Sequence, residues 1–481
     1  MTTPRASIGA ALSGYALVTL VQAVATFGAV AVFTRLLHTQ DYGRYTLAMA
    51  TAMFLQAMLF TWLHAGMVRF YEKTRGDETA FADHLATSWA ALGVGAVLAV
   101  ALALVTQAWF GLLPFATAAF MIGRAALTLA LEQHRMAGEV RRYAALETGQ
   151  AMVGLIAGVA LVRLTSLQES APLFGMAIGT VTALLFDLRV VRAALRGRVS
   201  WPHARVLWTY GMPMGLAMLM HLITQLFDRF LVATLMDEAA AGVYAVAYAA
   251  ADRPLMMIFT WLGMSASPLI LAAFERDGQA AAQEAMERLA SMILLIVLPA
   301  AVGLAMVAEP LSAVLVGREF RGPVVHLLPW IAAASVVNGL TVHYLAVPFV
   351  LHRRSGLLAG TMAAAALLNT VLNLLLIPRL GLWGAALATI VAYALVASVR
   401  YFFARRWLNL RLPVDDALRC IAATAAMATG LVWLPLPHGA AGLLPSIATG
   451  AVLYATAAWA LDAAGCRARV NDVLRRVRRA G

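Results

Sequence analysis

The sequence predicts an all-α polytopic membrane protein of about fourteen transmembrane helices. Three observations lead there. The chain is 62% hydrophobic and 12% charged, with a mean hydropathy of +0.80, whereas soluble domains carry about 25% charged residues. Its apolar runs are about twenty residues long, as a helix crossing the hydrocarbon core requires. They lack the ten-residue alternation of barrel strands, and a bilayer admits only those two architectures. Finally, the basic residues fall between alternate pairs of runs. With both termini in the cytoplasm, 27 of the 36 Lys+Arg lie on the cytoplasmic side, 6 outside and 3 within spans. The positive-inside rule requires that asymmetry, and one span more or fewer would scramble it.

The N-terminus runs into apolar sequence from Ile8 to Phe33, too long for a signal-peptide core, so it reads as a retained first span. The spans fall near 8–34, 44–68, 88–109, 112–133, 143–163, 172–191, 207–235, 241–271, 288–308, 325–349, 356–377, 383–403, 416–434 and 442–462. The eighth is long for one perpendicular crossing and is expected to tilt or protrude. Asp187 to Tyr210 holds Arg189, Arg192, Arg196, Arg198 and Arg205, and lies where a two-lobed transporter would place its central linker. The expected organisation is a first lobe at 1–198 (helices 1–6) and a second at 199–410 (helices 7–12). Residues 411–481 then hold helices 13–14 and a basic cytoplasmic tail.

An internal repeat supports two pseudo-symmetric six-helix lobes. Gly43, Tyr45, Ala48 and Ala50 recur as Gly242, Tyr244, Ala247 and Ala249, at an offset of 199. Both copies open an even-numbered span after an outer turn. Six intervening spans give them the same orientation, so the axis relating the lobes runs along the membrane normal.

The net charge of +12 and pI near 10.3 belong to this topology rather than to nucleic-acid binding, because the positives flank spans. The tail holds Arg467, Arg469, Arg475, Arg476, Arg478 and Arg479 and is expected to lie against anionic lipid. Cys420 and Cys466 offer neither a disulfide framework nor metal-ligand spacing.

Ionisable groups inside spans are the candidate site. An arginine at the bilayer centre costs at least about 2.5–3.5 kcal/mol and faces a cavity or a partner. Arg124 lies near the midplane of span four, Asp252 and Arg253 near the middle of span eight, and Asp228 and Arg229 in the outer half of span seven. Arg35 and Arg69 sit at the outer end of span one and the inner end of span two. Guanidinium stays charged and binds oxyanions bidentately, so the set suits a phosphate or diphosphate. The competing reading is mutual neutralisation, Asp228 with Arg253 and Asp252 with Arg229, and snorkelling for Arg35 and Arg69.

Thr19, Gln22 and Thr26 form a polar stripe, as do His221, Gln225 and Asp228, and Asn369 with Asn373. Each stripe lines a wet cavity or forms interhelical hydrogen bonds of about 0.6 kcal/mol. His221 is the residue there that titrates near neutral pH. Prolines 213, 254, 268, 299, 329 and 348 interrupt the second-lobe spans, where each frees a backbone carbonyl. The sequence holds no Walker loop, HExxH, GxSxG or paired-Cys motif, so no ATPase or metalloenzyme chemistry is indicated. No cofactor is expected, and coupling to H+ or Na+ stays open.

Thr34-Arg35-Leu36-Leu37, Tyr42-Gly43-Arg44-Tyr45 and Arg69-Phe70-Tyr71 together resemble the opening of bacterial polysaccharide-transport proteins, the O-antigen-type lipid-linked oligosaccharide flippases. Tyr210-Gly211-Met212-Pro213, Asp228-Arg229, Ala241-Gly242-Val243-Tyr244, Ala247-Tyr248 and the turn Pro378-Arg379-Leu380-Gly381-Leu382-Trp383-Gly384-Ala385-Ala386 are similar to that family too. The resemblance implies a member of the multidrug/oligosaccharidyl-lipid/polysaccharide exporter superfamily. Its two six-helix lobes would surround a cavity, with two added helices. It also implies an undecaprenyl-diphosphate-linked oligosaccharide carried across the bacterial cytoplasmic membrane by alternating access. By chemistry and depth, with no fixed arginine set in the family to match, Arg124, Arg229 and Arg253 are the candidate diphosphate contacts; membrane lipids and other polysaccharide-assembly proteins are the candidate partners. A lipid II flippase and a small-solute or multidrug antiporter are the alternatives within the superfamily. A membrane polysaccharide polymerase is disfavoured by the lack of a large outer loop.

Overall fold

The computed structural model describes residues 8–74, 76–410 and 413–468; the side chains of 8–21, 72–74, 221 and 224 lie outside that description. Among the described residues every regular element is helical. The chain begins with α1 (Ile8–Leu36), α2 (Thr39–Gln56), α3 (Trp62–Thr74), α4 (Glu78–Phe110), α5 (Leu113–Met136), α6 (Val140–Leu164), α7 (Ala171–Phe186), α8 (Leu188–Ala194) and α9 (Trp201–Leu235). It continues through α10 (Glu238–Asp277), α11 (Gln279–Met306), α12 (Ala308–Leu315), α13 (Arg318–Gly339), α14 (Val347–Leu351), α15 (Ser355–Leu380), α16 (Leu382–Leu408), α17 (Val414–Trp433) and α18 (Leu443–Ala460).

The fourteen expected spans fall on helical segments, with 172–191 broken at Asp187 and 325–349 broken before α14. By length and apolarity, 11 helices among the described residues qualify to cross a membrane, or 12 with α9, which bends by 49° between Met220 and Gln225. The remaining two expected spans are α1 and α17. The side chains of α1 are described only from Gln22, and α17 opens with Asp415, Asp416 and Arg419.

Two compact units form, one within 1–233 and 237–242, the other within 234–236 and 243–481. In the first unit α9 packs beside α2 and α3: Trp62 meets Trp208 edge-on at 5.1 Å, and Phe54 meets Phe230 at 5.6 Å. The basic linker before α9 is seated on α4. The Arg198 N–H donates to Asp83 at 2.6 Å, and the Ser200 N–H to the Thr87 hydroxyl at 3.1 Å.

Lipid tails are as apolar as leucine, so close backbone approach rather than the hydrophobic effect joins membrane helices. The pair α6–α7 shows this. Gly154 and Gly158 face Gly175 and Gly179, and a Cβ on Gly175 would sit 2.3 Å from the Gly158 nitrogen. The repeat glycines also meet: a Cβ on Gly242 would lie 2.9 Å from the Gly43 nitrogen. Beside that contact Arg44 Nε donates to Glu238 at 2.6 Å.

In the second unit α17 and α18 pack on α11, where the Tyr454 hydroxyl donates to the Leu295 carbonyl at 2.6 Å. Ser291 also donates to Asp416 at 2.6 Å. The α15–α16 contact holds a polar chain in which Asn373 donates to Asn369 at 3.0 Å and Asn369 to Thr389 at 3.2 Å. That stripe therefore serves as interhelical adhesive.

Candidate functional site

Helix α5 starts with Pro114 in its first turn, where the missing N–H costs nothing. It then runs through the centre of the first unit. Phe60, Leu63 and Met67 of the α2–α3 span, Leu92 and Ala99 of α4, and Met121, Ala125 and Leu129 of α5 form one buried cluster. Arg124 leaves this cluster toward α6. Its two terminal nitrogens donate to the two oxygens of Glu147, at 2.9 and 3.0 Å. Gln22 of α1 donates to the same carboxylate at 2.6 Å. Glu147 is 2% exposed, whereas 28% of the Arg124 side chain remains accessible. A ring nitrogen of His64 lies 3.1 Å from the Ala125 carbonyl, and Tyr143 stands one turn before Glu147.

This arrangement is a guanidinium held by its own counter-ion. A buried charge pair is tolerated only when well hydrogen-bonded, and here three donors meet one carboxylate. Guanidinium has five N–H donors; Glu147 takes two of Arg124's. Three lie outside that pair.

Of the sequence candidates, Gln22 and Arg124 are thus brought together, through Glu147. Asp228 is buried and Arg229 half-buried in the first unit, on the same helix as the exposed Gln225. Asp252, in the second unit, accepts a hydrogen bond from Ser335 at 2.7 Å, and its neighbour Arg253 is exposed. Arg35 is exposed and caps the Ala31 carbonyl of its own helix; Arg69 is exposed. The side chains of His221 and Thr19, and Arg469 to Arg479 of the tail, lie outside the described residues.

Three groups escaped the sequence reading. Glu147 is an acid inside an expected span, a visible signal, but its pairing is tertiary. Asp187, fully buried where α7 meets α8, receives His134 Nε2 and Arg142, while His134 Nδ1 lies 2.8 Å from Glu139. That cluster ties the start of the basic linker to the α5–α6 turn. Arg400, fully buried on α16, was hidden by its place near a span end. It donates to the Thr361 hydroxyl at 2.9 Å and to the Thr341 carbonyl at 2.7 Å. That carbonyl is open because Leu340–Tyr344 forms a π-turn in which the Leu345 N–H reaches Leu340 instead. No cluster of three or more His, Cys, Asp or Glu suited to a metal ion occurs among the described residues.

Long apolar helices around buried, paired charges define a multi-pass helical membrane protein. Solved structures share its fold. The lipid II flippase MurJ in an inward closed conformation matches with a TM-score of 0.74 at 13% identity, covering 93% of this chain and 98% of that one. An inward-facing multidrug resistance MATE transporter of the MOP superfamily matches with a TM-score of 0.62 at 13% identity, over 80% and 94%. A MOP superfamily transporter from Pyrococcus furiosus, described by the reverse polarity of its binding pocket, gives 0.51 at 13% identity, over 83% and 93%. No curated protein matches the chain by sequence. Residues 32–325, more than half of the chain, match the polysaccharide biosynthesis protein family, and the chain belongs to that family.

Proposed function

We propose that the protein is a flippase that moves an undecaprenyl-diphosphate-linked oligosaccharide from the inner to the outer leaflet of the bacterial cytoplasmic membrane, both termini facing the cytoplasm. The observation that carries this reading is Arg124. It is a guanidinium within a membrane chain of the polysaccharide biosynthesis family, with three N–H donors beyond those Glu147 takes. A diphosphate is the part of such a cargo that needs these donors, since its charge is what the bilayer opposes. Arg229 and Arg253 are the further diphosphate candidates, with Arg35 and Arg69 nearer the surfaces. Asp228, Asp252, His221, Gln225 and Gln22 are the polar or coupling candidates. Partners would be membrane lipids and other polysaccharide-assembly proteins.

The fold likeness to the lipid II flippase favours a second reading, in which the cargo is a peptidoglycan precursor. Depletion in the native cell, with mass spectrometry of lipid-linked sugars and a probe of the leaflet that holds them, separates the two. A complete oligosaccharide diphospholipid accumulating in the inner leaflet supports the first reading, and lipid II accumulating there supports the second. Accumulation in the outer leaflet points to polymerisation or ligation instead, and no accumulation to a drug antiporter.

A further inference from the structure

The linker between α7 and α9 carries charge that the protein leaves unneutralised. Arg189, Arg192, Arg196, Arg198 and Arg205 are all exposed. None of them pairs with a carboxylate among the described residues. The two acids that hold the linker are engaged by other donors. Asp187, at its start, receives His134 and Arg142, and Asp83 takes the Arg198 backbone N–H rather than its guanidinium.

Helix α8 sorts its residues by direction, because residues three, four and seven apart share a side. Val190 and Ala194 are buried, and their side continues to Gly197, where a Cβ would sit 2.0 Å from the Ala82 carbonyl oxygen of α4. Arg189, Arg192 and Arg196 form a stripe on the opposite side. The turn reaches Arg196, whose N–H donates to the Ala193 carbonyl at 3.2 Å. Beside the stripe stand large apolar side chains without cover: Leu195 is 80% exposed, Val199 67% and Trp201 79%. The helices on either side of the linker belong to the membrane, since Gln168–Phe186 qualifies as a span and α9 opens with Trp201. The linker therefore lies where hydrocarbon gives way to headgroups, the level at which tryptophan is enriched and amphipathic helices lie flat. A soluble polyanion would match the arginines but leave Leu195 and Val199 in water, whereas a bilayer with anionic headgroups takes both.

We infer that Arg189, Arg192 and Arg196, flanked by Leu195, Val199 and Trp201, form a docking surface for anionic phospholipid headgroups. The guanidinium groups take headgroup phosphates bidentately, and the apolar side chains enter the acyl boundary. Arg198 and Arg205 add charge toward α9. The protein pins the linker from one side, through Asp187, Gly197 and Asp83, and lipid holds it from the other. The surface is independent of the cargo, so its test does not bear on the flippase reading.

Photolabelling of the full-length protein in phosphatidylcholine bilayers tests it. The probes are trace phosphatidylglycerol and trace phosphatidylcholine, each with the same photoactivatable headgroup substituent, and labelled peptides are mapped by mass spectrometry. The expected result is that the phosphatidylglycerol probe labels residues 185–205 at least about fivefold more than the phosphatidylcholine probe at equal mole fraction. Salt at about 0.5 M, which screens exposed charges, brings that ratio toward one. The triple substitution Arg189→Gln, Arg192→Gln and Arg196→Gln does the same, with labelling outside the linker unchanged. Equal labelling of the wild type by the two probes overturns the inference; shielding of these arginines by added RNA would then assign the face to nucleic acid. A ratio that survives in the triple variant also overturns it, because the selectivity then comes from other groups. Selectivity and its salt dependence are read on the unmutated protein, so a poorly folding variant does not remove the test.

Discussion

Removing Arg124 and removing Glu147 should not be equivalent, although each breaks the same pair. Arg124→Ala leaves a carboxylate at 2% exposure with one remaining donor, Gln22. Breaking a buried pair in this way costs about 3–5 kcal/mol. Glu147→Ala leaves a guanidinium with 28% of its side chain accessible. On the reading that Arg124 faces a wet cargo cavity, water screens much of that charge, so the cost is about 1–2 kcal/mol. Removing both groups strands neither, and the double alanine variant should be more stable than Arg124→Ala alone. The assay is unfolding by SDS titration in mixed micelles, followed by tryptophan fluorescence, on all four proteins. The expected order of stability is wild type, Glu147→Ala, the double variant beside or below it, and Arg124→Ala last. An Arg124→Ala midpoint equal to wild type would refute the reasoning. So would a double variant less stable than Arg124→Ala, because then the stranded carboxylate is not the source of the cost.

Other predictions follow from individual contacts. Gly175→Leu drives a side chain into the Gly158 backbone, where even a Cβ sits 2.3 Å from nitrogen; it should abolish folded protein on size exclusion, and normal yield would show that α6 and α7 can separate. Asp187→Ala removes the acceptor of both His134 Nε2 and Arg142, leaving the buried imidazole with Glu139 alone and the guanidinium without its carboxylate. Trypsin cleavage in the linker 189–205 should become several-fold faster, and unchanged cleavage would deny that this cluster holds the linker. At the start of α4, the Asp77 carboxyl is held below the usual carboxylate range by the Thr79 hydroxyl and the backbone N–H groups of Ala80 and Thr79. A depressed acid stabilises the fold fully above its ordinary titration range, near pH 4, and loses the effect as pH falls through the depressed value. Amide protection factors in the first turn of α4, taken relative to intrinsic exchange, should therefore fall below pH 4 in the wild type and be low at all pH values in Asp77→Ala; equal protection in the two proteins would count against the cap.

The fold was legible because a bilayer writes its demands locally. Each crossing needs its own apolar run, and charge asymmetry orients the runs without any tertiary information. The Gly43/Gly242 repeat was visible as pattern, but only the structure shows the two glycines meeting backbone to backbone. Prolines were a partial guide to breaks: Pro348 opens α14 just past one, whereas Pro299 lies inside continuous α11. The π-turns at Ala57–Thr61 and Leu340–Tyr344 depend on a shifted hydrogen bond that no residue type announces, and the bend in α9 lies at least seven residues past Pro213.

The site was half legible. Arg124 stood out because an arginine at mid-span is costly. Glu147 did not, because its significance comes from Arg124, 23 residues earlier on another helix. Gln22 was seen as one member of a polar stripe, yet its partner lies 125 residues away. Arg400 shows the opposite case. It lies near a span end and went unnoticed in the sequence, yet α15 and the π-turn enclose it completely.

The central claim is that Arg124 serves an anionic lipid-linked cargo. Purified protein in liposomes, supplied with a fluorescent polyprenyl-diphosphate oligosaccharide in one leaflet, tests it most directly through the rate at which label reaches the other. The account expects leaflet exchange that depends on the protein, falls at least tenfold in Arg124→Ala at equal protein content, and is absent for a neutral polyprenyl-linked sugar. Equal exchange by wild type and Arg124→Ala, or equal transport of the neutral lipid, would contradict it.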